Sequence, residues 1–243
     1  MIKLKDNAYK GFSLCKMQGE DFVFVKTFLD TQRSRLERIE FFYPYKDEEL
    51  QAVLECGCFW GLFDKDKLIA TFAVDFDEEY ATTLANLINS FSDIGIKRAY
   101  ESSGLMVDED YRGQGIAGYM MSLACQEAQK RKVAICGVVH TQNVASMSTF
   151  FSQGFEMRAT WQMSEGYDFI YLLKRYDLPY FNNDGLNCKK VLQFGKSCAK
   201  IDSVVGVTNT LTEEHNALLS DGYVGVGCQN TTIYFRKKGV KSL

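Results

Sequence analysis

The sequence predicts a mixed α/β protein with a mostly antiparallel sheet and flanking helices. The runs CFWGLFD and LIATFAVDFD, separated by the polar turn KDK, are typical of an antiparallel hairpin. The stretch from RAYESSGLMV through QGIAGYMMSLACQEAQKRK to VAICGVV has the order strand, helix, strand, which indicates two parallel strands joined by a crossover helix. The predicted sheet therefore contains both kinds of pairing.

Further helices are predicted where apolar residues recur at helical spacing. Two of these segments, DFVFVKTFLDTQRSRL and DEELQAVLE, follow the short strand GFSLCKM and precede the hairpin. A third helix, at 78–92, lies between the hairpin and the strand that ends at Val107. NVASMSTFFSQGF predicts one more helix, closed by Gly154, and two strands, FEMRATWQM and YDFIYLLKR, follow it.

The chain is expected to form one main domain and a small extension. Its 243 residues are enough for one α/β domain and a modest appendage, and turn residues cluster in YDLPYFNNDG. We therefore place a domain at 1–176 and an α+β extension at 177–243. FFSQGFE resembles LLSDGYV 68 residues later, and each precedes a β-rich run. The extension is thus predicted as strand, helix, strand, strand, and a degenerate half-repeat is one interpretation of it.

Composition argues against several classes of protein. No apolar run approaches the roughly 20 residues of a membrane helix, and the N-terminus has no apolar signal core, so a cytoplasmic protein that binds no membrane is expected. The net charge of −3 disfavours nucleic acid as a partner. The eight cysteines lie in apolar segments without C-x-x-C spacing, so we expect buried, reduced thiols and no bound metal.

The segment DYRGQGIAGYMM has glycines at 113, 115 and 118, in the spacing of a dinucleotide-binding turn. That interpretation fails because the loop DEDYR separates the strand from the glycines, and no carboxylate between Glu127 and Glu156 is available to bind a ribose. A Walker loop fails too, since Tyr119 stands where a lysine is required. Flexible glycines, an uncapped helix start and Arg112 instead favour a pyrophosphate.

These residues resemble the acyl-CoA loop of the GNAT superfamily of N-acetyltransferases, whose signature is [QR]-x-x-G-x-[GA]. Arg112, Gly115 and Ala117 occupy its defined positions, and the helix that Asn143 opens resembles the second coenzyme-binding region of the family. The resemblance extends from residue 11 to about 175. It implies a GNAT-like sheet with a central pair of parallel, splayed strands, and acetyl-CoA as the cosubstrate.

The resemblance also implies which residues contact the coenzyme. Met106 and Val107 would pair with the pantetheine like an added strand, and Asn143 would hydrogen-bond the same arm. The pyrophosphate would bind the backbone N–H groups of the glycine loop, which are those of Arg112, Gly113, Gln114, Gly115, Ile116, Ala117 and Gly118.

Glu101 is the candidate base, because an ammonium must lose a proton before it can attack a thioester. A glutamate six residues before Val107 resembles the base of the histone-acetyltransferase branch. Strand alternation predicts that Glu101, Ser103, Leu105 and Val107 share one apolar face, where the pKa of the carboxyl would rise. A glutamate without a catalytic role fits the same position, and His140, at the end of the next strand, is a second candidate.

The leading hypothesis is an N-acetyltransferase that acetylates a primary amine of a small molecule or peptide by direct attack. Acidic and aromatic residues in FFYPYKDEEL fit a cationic acceptor, although an acidic helix start explains KDEEL equally well. Phe150 stands where many family members have a tyrosine as the general acid. The alternative is therefore a noncatalytic acyl-CoA-binding or interaction module of the same fold. The helix at 78–92 would cover the acceptor site or form a homodimer contact.

Overall fold

The computed structural model describes residues 1–56, 58–91, 95–162, 168–176, 204–208, 212–230 and 232–237. The six α-helices in these residues are α1 (Phe22–Ser34), α2 (Asp47–Glu55), α3 (Glu78–Phe91), α4 (Ile116–Arg131), α5 (Val144–Ser152) and α6 (Thr212–Ser220). The strands are β1 (Ile2–Tyr9), β2 (Phe12–Met17), β3 (Phe59–Asp64), β4 (Lys67–Asp75), β5 (Ala99–Val107), β6 (Ala134–His140), β7 (Glu156–Gln162), β8 (Asp168–Lys174), β9 (Val204–Thr208), β10 (Tyr223–Gln229) and β11 (Thr232–Lys237).

These elements form two compact units, one of Met1–Asp77 and Tyr100–Glu127, the other of Glu78–Ala99 and Ala128–Leu243. In the first unit the strands follow the order β1-β2-β3-β4-β5, and every neighbouring pair is antiparallel. The predicted hairpin is confirmed as β3 and β4, and its turn holds Lys65 at a φ of +54°. β1 was not predicted, although Ile2 and Leu4 alternate with lysines at its start as in a strand, and the strand is mostly exposed.

The core of the first unit lies between its sheet and the helices α1 and α2. The apolar spacing of both helices buries one face of each, with Val25 and Leu29 on α1 and Leu50 and Leu54 on α2. These side chains contact inward-facing residues of β2 to β5, including the nearly inaccessible Phe59. Both predicted helices are therefore confirmed, and they cover one face of the sheet.

In the second unit the strand order is β6-β8-β7-β10-β11-β9, with antiparallel pairs throughout. After residue 203 the described elements follow in the order β9, α6, β10 and β11, which is a strand, a helix and two strands. The proposed boundary at 177 lies outside the described residues. The extension joins the sheet of this unit, because β10 pairs with β7 and the Ser148 hydroxyl lies 3.4 Å from the Cys228 thiol.

The two halves of this second sheet have the same internal order. In each half, the strand that comes third in the sequence lies between the other two in the sheet. β8 lies between β6 and β7, and β11 lies between β9 and β10. The halves meet at their second strands, β7 and β10, which are antiparallel, and α5 packs on β10 while α6 packs on β7. This reciprocal arrangement fits a local two-fold relation between the two halves.

The predicted fold class, a mixed α/β protein with a mostly antiparallel sheet, is confirmed. The predicted helix at 78–92 is present as α3. No helix among the described residues is long and apolar enough to span a membrane.

Phe150 on α5 occupies a space that Gly137 on β6 leaves open. A Cβ atom at Gly137 would lie 2.2 Å from two carbons of the Phe150 ring, far inside van der Waals contact. The other side of the ring meets Phe155 edge to face, with the centroids 4.9 Å apart. Phe150 is 4% exposed and is therefore held in the core of the second unit.

We predict that Gly137→Ala lowers the free energy of unfolding by about 1–3 kcal/mol, because the added methyl overpacks the core. Chemical denaturation measures the change. In the Gly137→Ala background, Phe150→Leu should cost less than it does in the wild-type chain, since the smaller side chain relieves the overlap. If the double variant loses as much free energy of unfolding as the two single variants together, the contact between Gly137 and Phe150 is not tight.

Candidate functional site

The loop after β5 is anchored by the buried carboxylate of Asp108. This carboxylate is within hydrogen-bond distance of the Asp110 backbone N–H (3.1 Å), the Gln32 side-chain amide (3.2 Å) and the Lys67 ammonium (3.1 Å). Asp108 is only 2% exposed, and a buried charge is costly unless it is paired and hydrogen-bonded. The three donors meet that need, and they tie the start of the loop to α1 and β4.

The next residues fold over the ends of the neighbouring strands. The Tyr111 hydroxyl donates to Asp64 at 2.9 Å, and the Phe12 ring contacts the Tyr111 ring edge to face. Arg112 donates from Nε to the carbonyl of Val107, the last residue of β5, at 3.2 Å. The Arg112 guanidinium, which is expected to lie beside a bound anion, is therefore held at the start of the glycine loop.

The glycines allow the chain to turn sharply into α4. Gly113 and Gly115 have φ values of +73° and +78°, in the left-handed region that favours glycine. α4 begins directly afterwards at Ile116 and runs for 16 residues. The first N–H groups of a helix have no acceptor within it and carry the positive end of its dipole, so this turn suits an anion. The predicted pyrophosphate contacts from Gly113 to Gly118 lie on this turn and on the first turn of α4. The Arg112 N–H, also predicted as a contact, donates to the Glu109 carbonyl at 3.3 Å.

The hairpin between β1 and β2 supports the glycine loop from one side. The Tyr9 hydroxyl and the Lys10 ammonium both donate to the Gln114 carbonyl, at 3.0 and 2.9 Å. The Tyr9 ring stacks on Tyr119 of α4, with the centroids 4.6 Å apart. These contacts could not be predicted from the sequence, because no local pattern links the residues. Tyr9 lies 105 positions before Gln114, and Lys10 lies 104 positions before it.

β5 contains a bulge that corrects one prediction. Met106 pairs with Thr71 and Ser103 pairs with Ala73, so β5 uses one residue more than β4 between these pairs. Gly104 lies within this stretch at a φ of +62°. Glu101 is opposite Asp75 and Val107 is opposite Ala70, and positions 75 and 70 of β4 alternate to opposite faces.

The prediction that Glu101 and Val107 share one face is therefore wrong, because the extra residue reverses the alternation along β5. The part of the prediction that places Glu101 and Ser103 on one face is confirmed. That face is the one covered by α1 and α2, since Ala73 and Met106 belong to the core that these helices form.

Two side chains from outside β5 hold the bulge in place. The Thr71 hydroxyl donates to the Gly104 carbonyl at 2.8 Å, and the Tyr45 hydroxyl donates to the Ser103 hydroxyl at 2.6 Å. A Cβ atom at Gly104 would lie 2.8 Å from the Tyr45 hydroxyl oxygen. Glycine is therefore needed here both for its φ and for the close approach of Tyr45.

The candidate base belongs to a pair of carboxylates beside this bulge. In the antiparallel register Glu101 faces Asp75 directly, a position in which side chains are close neighbours. Burial raises the pKa of the Asp75 carboxyl above its usual range. Burial also raises the pKa of Tyr45, and the negative charges of Glu101 and Asp75 add to this shift. Tyr45 thus remains a neutral hydrogen-bond donor at physiological pH.

Asn143 and His140 belong to the second unit. Asn143 caps α5, since its side-chain oxygen accepts a hydrogen bond from the Ser146 N–H at 3.1 Å. His140 is buried, its Nδ1 accepts from the Gln142 N–H at 3.1 Å, and its ring meets Phe169 edge to face. The Nδ1 atom of His140 is therefore engaged in a turn at the end of β6.

The described cysteines are free thiols, and Cys56 departs from the expected burial because it is exposed. A hydrogen bond from the Cys58 thiol lowers the pKa of Cys56 to about 6. Cys188 and Cys198 lie outside the described residues. Within the part of the chain that the structure describes, no group of three or more His, Cys, Asp or Glu side chains is placed to hold a metal ion.

The chain belongs to the acetyltransferase (GNAT) family, whose sequence profile matches residues 28–155, more than half of its length. No curated protein sequence is significantly similar to the chain.

Solved structures with this fold come from several organisms. The polyamine N-acetyltransferase of Drosophila melanogaster is 11% identical with a TM-score of 0.53, and the match covers 68% of this chain and 99% of that one. The ribosomal-protein-S18-alanine N-acetyltransferase of Escherichia coli is 14% identical with a TM-score of 0.50, covering 70% and 97%. A structure from Salmonella typhimurium with its cofactor acetyl-CoA is 13% identical with a TM-score of 0.50, covering 69% and 95%. At these identities the similarity establishes the GNAT-like fold.

We predict that Asp108→Ala lowers the free energy of unfolding by about 1–3 kcal/mol, because it leaves the buried amide of Gln32 without its acceptor. Asp110→Ala is the matched control in the same turn. Its exposed side chain forms only a long ion pair with Lys67, so a change below about 1 kcal/mol is expected. Equal losses in the two variants, measured by urea denaturation, would contradict the anchoring role of Asp108.

Proposed function

We propose that the chain is an acetyl-CoA-dependent N-acetyltransferase that acetylates a primary amine by direct attack on the thioester. Membership of the acetyltransferase (GNAT) family supports this proposal. The observation that carries it furthest is the turn between β5 and α4, where two left-handed glycines precede the first N–H groups of a long helix. That arrangement suits a coenzyme pyrophosphate.

In this proposal the coenzyme lies along the end of β5 and over the glycine turn. The backbone N–H groups from Gly113 to Gly118 bind the pyrophosphate, and the backbone of Met106 and Val107 pairs with the pantetheine. The Arg112 N–H donates to the Glu109 carbonyl at 3.3 Å, so Arg112 contributes its charge. Met106 takes part through its backbone alone, since its side chain is buried in the core.

Glu101 serves as the base in the proposed reaction. It takes a proton from the acceptor ammonium, and the freed lone pair attacks the carbonyl carbon of the thioester. Backbone N–H groups of β5 stabilise the negative oxygen of the tetrahedral intermediate. The carbon–sulfur bond then breaks, the nitrogen loses its second proton to water, and the amide and coenzyme A are released.

The departing thiolate takes its proton from water. Phe150 carries no acidic group and lies against Gly137 in the core of the second unit. A thiol with a pKa near 8.5 is a fair leaving group without a dedicated acid. This chemistry is consistent with turnover despite the absence of a tyrosine at position 150.

The proposed acceptor is a cationic amine of a small molecule or a peptide. Both kinds of acceptor occur among structures of similar fold, since one acetylates polyamines and another the alanine of a ribosomal protein. In this chain, Glu101 and Asp75 place two carboxylates on one face of the sheet. Their negative charge would attract an ammonium before Glu101 removes its proton.

Phe150 also favours a second candidate function, a noncatalytic module that binds acyl-CoA. A thiol-release assay with acetyl-CoA and a panel of diamines, polyamines and peptides with free N-termini separates the two candidates. Release of coenzyme A that depends on one class of amine supports the enzyme. Tight binding of acetyl-CoA, with no thiol released by any amine, would leave the binding module as the function.

We predict that Glu101→Gln lowers kcat at neutral pH by about 10²- to 10⁴-fold, the usual contribution of a general base. The dissociation constant of acetyl-CoA should stay within about twofold of wild type, since Glu101 acts on the amine and not on the coenzyme. Glu213→Gln, an exposed change on α6, is the control and should leave both quantities unaltered. Full turnover by Glu101→Gln would remove Glu101 from the mechanism.

A further inference from the structure

Two side chains from the β1–β2 hairpin converge on one backbone carbonyl of the glycine loop. The Tyr9 hydroxyl donates to the Gln114 oxygen at 3.0 Å, and the Lys10 ammonium donates to the same oxygen at 2.9 Å. The two lone pairs of a carbonyl can accept two such bonds. The orientation of the peptide between Gln114 and Gly115 is therefore fixed by these two donors.

Fixing this carbonyl also fixes the direction of the neighbouring N–H group. A trans peptide is planar, with its C=O and N–H pointing in opposite directions. All peptide bonds in the described residues are trans. Because the Gln114 carbonyl points at Tyr9 and Lys10, the Gly115 N–H points away from the hairpin. This N–H is one of the groups assigned to the pyrophosphate.

We propose that Tyr9 and Lys10 are positioning residues for the coenzyme, which hold the Gly115 N–H in the direction needed to bind the pyrophosphate. The proposal rests on the proposed function, since it assumes that this turn binds coenzyme A. The two donors also polarise the peptide, and a polarised peptide is a stronger N–H donor. The ammonium of Lys10 adds positive charge behind the turn.

The hairpin is built to present these two side chains. Lys10 and Gly11 form its turn with φ values of +50° and +90°, the pattern of a type I′ turn that suits a tight hairpin. The Tyr9 ring is held by its stack on Tyr119, with an interplanar angle of 17°. Both donors are thus constrained by their own backbone or by a neighbouring ring.

Gly115 provides the space that Tyr9 needs. A Cβ atom on Gly115 would lie 2.8 Å from the Tyr9 hydroxyl oxygen. A side chain at position 115 would therefore displace that hydroxyl from the carbonyl of the preceding residue. The glycine at the second defined position of the loop signature has two roles here, its positive φ and the access it leaves for Tyr9.

Three variants test the proposal through the dissociation constants of coenzyme A and of pantetheine, which lacks the pyrophosphate. Calorimetry measures the dissociation constant of coenzyme A. The dissociation constant of pantetheine is measured by its competition with bound coenzyme A. Tyr9→Phe keeps the ring but loses the hydroxyl, Lys10→Met loses the charge, and Lys10→Arg keeps a donor. Lys65→Met is the matched control, because Lys65 is also an exposed lysine at a positive φ in a hairpin turn.

We expect Tyr9→Phe and Lys10→Met each to weaken coenzyme A binding about three- to tenfold, the loss of one hydrogen bond. The double variant, which combines Tyr9→Phe with Lys10→Met, should bind coenzyme A about 10- to 100-fold more weakly than wild type. Pantetheine affinity should not change in any variant, and Lys10→Arg should bind coenzyme A within about twofold of wild type. Lys65→Met should behave as wild type.

Unchanged coenzyme A affinity in the double variant would overturn the proposal and leave the proposed function standing. Equal losses for coenzyme A and pantetheine would also overturn it, because a general structural defect affects both ligands. A wild-type chain that binds no coenzyme A would overturn the proposed function and this inference together.

Discussion

The candidate site depends on the buried carboxylate of Asp108. Its charge requires hydrogen-bond donors, and the donors come from α1, from the start of β4 and from the loop itself. Because two of these partners, Gln32 and Lys67, are distant in sequence, satisfying one carboxylate joins the glycine turn to the rest of the first unit. The turn into α4 therefore starts from a fixed point, and the N–H groups that follow it need little reordering when an anion binds.

The register of β4 and β5 provides the second constraint on the site. One extra residue in β5 reverses the side-chain alternation, so Glu101 lies on the face covered by α1 and α2 while Val107 faces the other way. Thr71 and Tyr45 hold this bulge through the Gly104 carbonyl and the Ser103 hydroxyl. The strand can thus direct a carboxylate to one side of the sheet and continue into the coenzyme turn at its end.

Local patterns in the sequence were sufficient to predict most elements of the fold, with β1 as the exception. Apolar spacing predicted α1, α2 and α3, and the order of strands and helix after residue 203 was predicted from a repeat whose two halves also share a strand order. The glycine signature predicted the turn at Gly113 and Gly115 because glycine is selected by local backbone geometry. Apart from the repeat, whose copies lie 68 residues apart, these signals are each contained within a short stretch of sequence.

The supports of the site could not be predicted in the same way. Tyr9, Lys10 and Gln32 act on residues about a hundred or seventy-odd positions away, so only the tertiary fold brings them there. The face of Glu101 depends on the bulge, and strand alternation alone gives the wrong relation to Val107. The Asp108 carboxylate does bind the Asp110 N–H, a local turn contact that its position after a buried strand could have suggested.

A crystal structure of the chain with coenzyme A would show whether the anchored turn presents its N–H groups to the pyrophosphate. We expect a pyrophosphate oxygen within about 3 Å of the Gly115 nitrogen, with the Gln114 carbonyl still bound by Tyr9 and Lys10. A pyrophosphate bound elsewhere, or a peptide between Gln114 and Gly115 turned so that its carbonyl faces the ligand, would contradict this expectation.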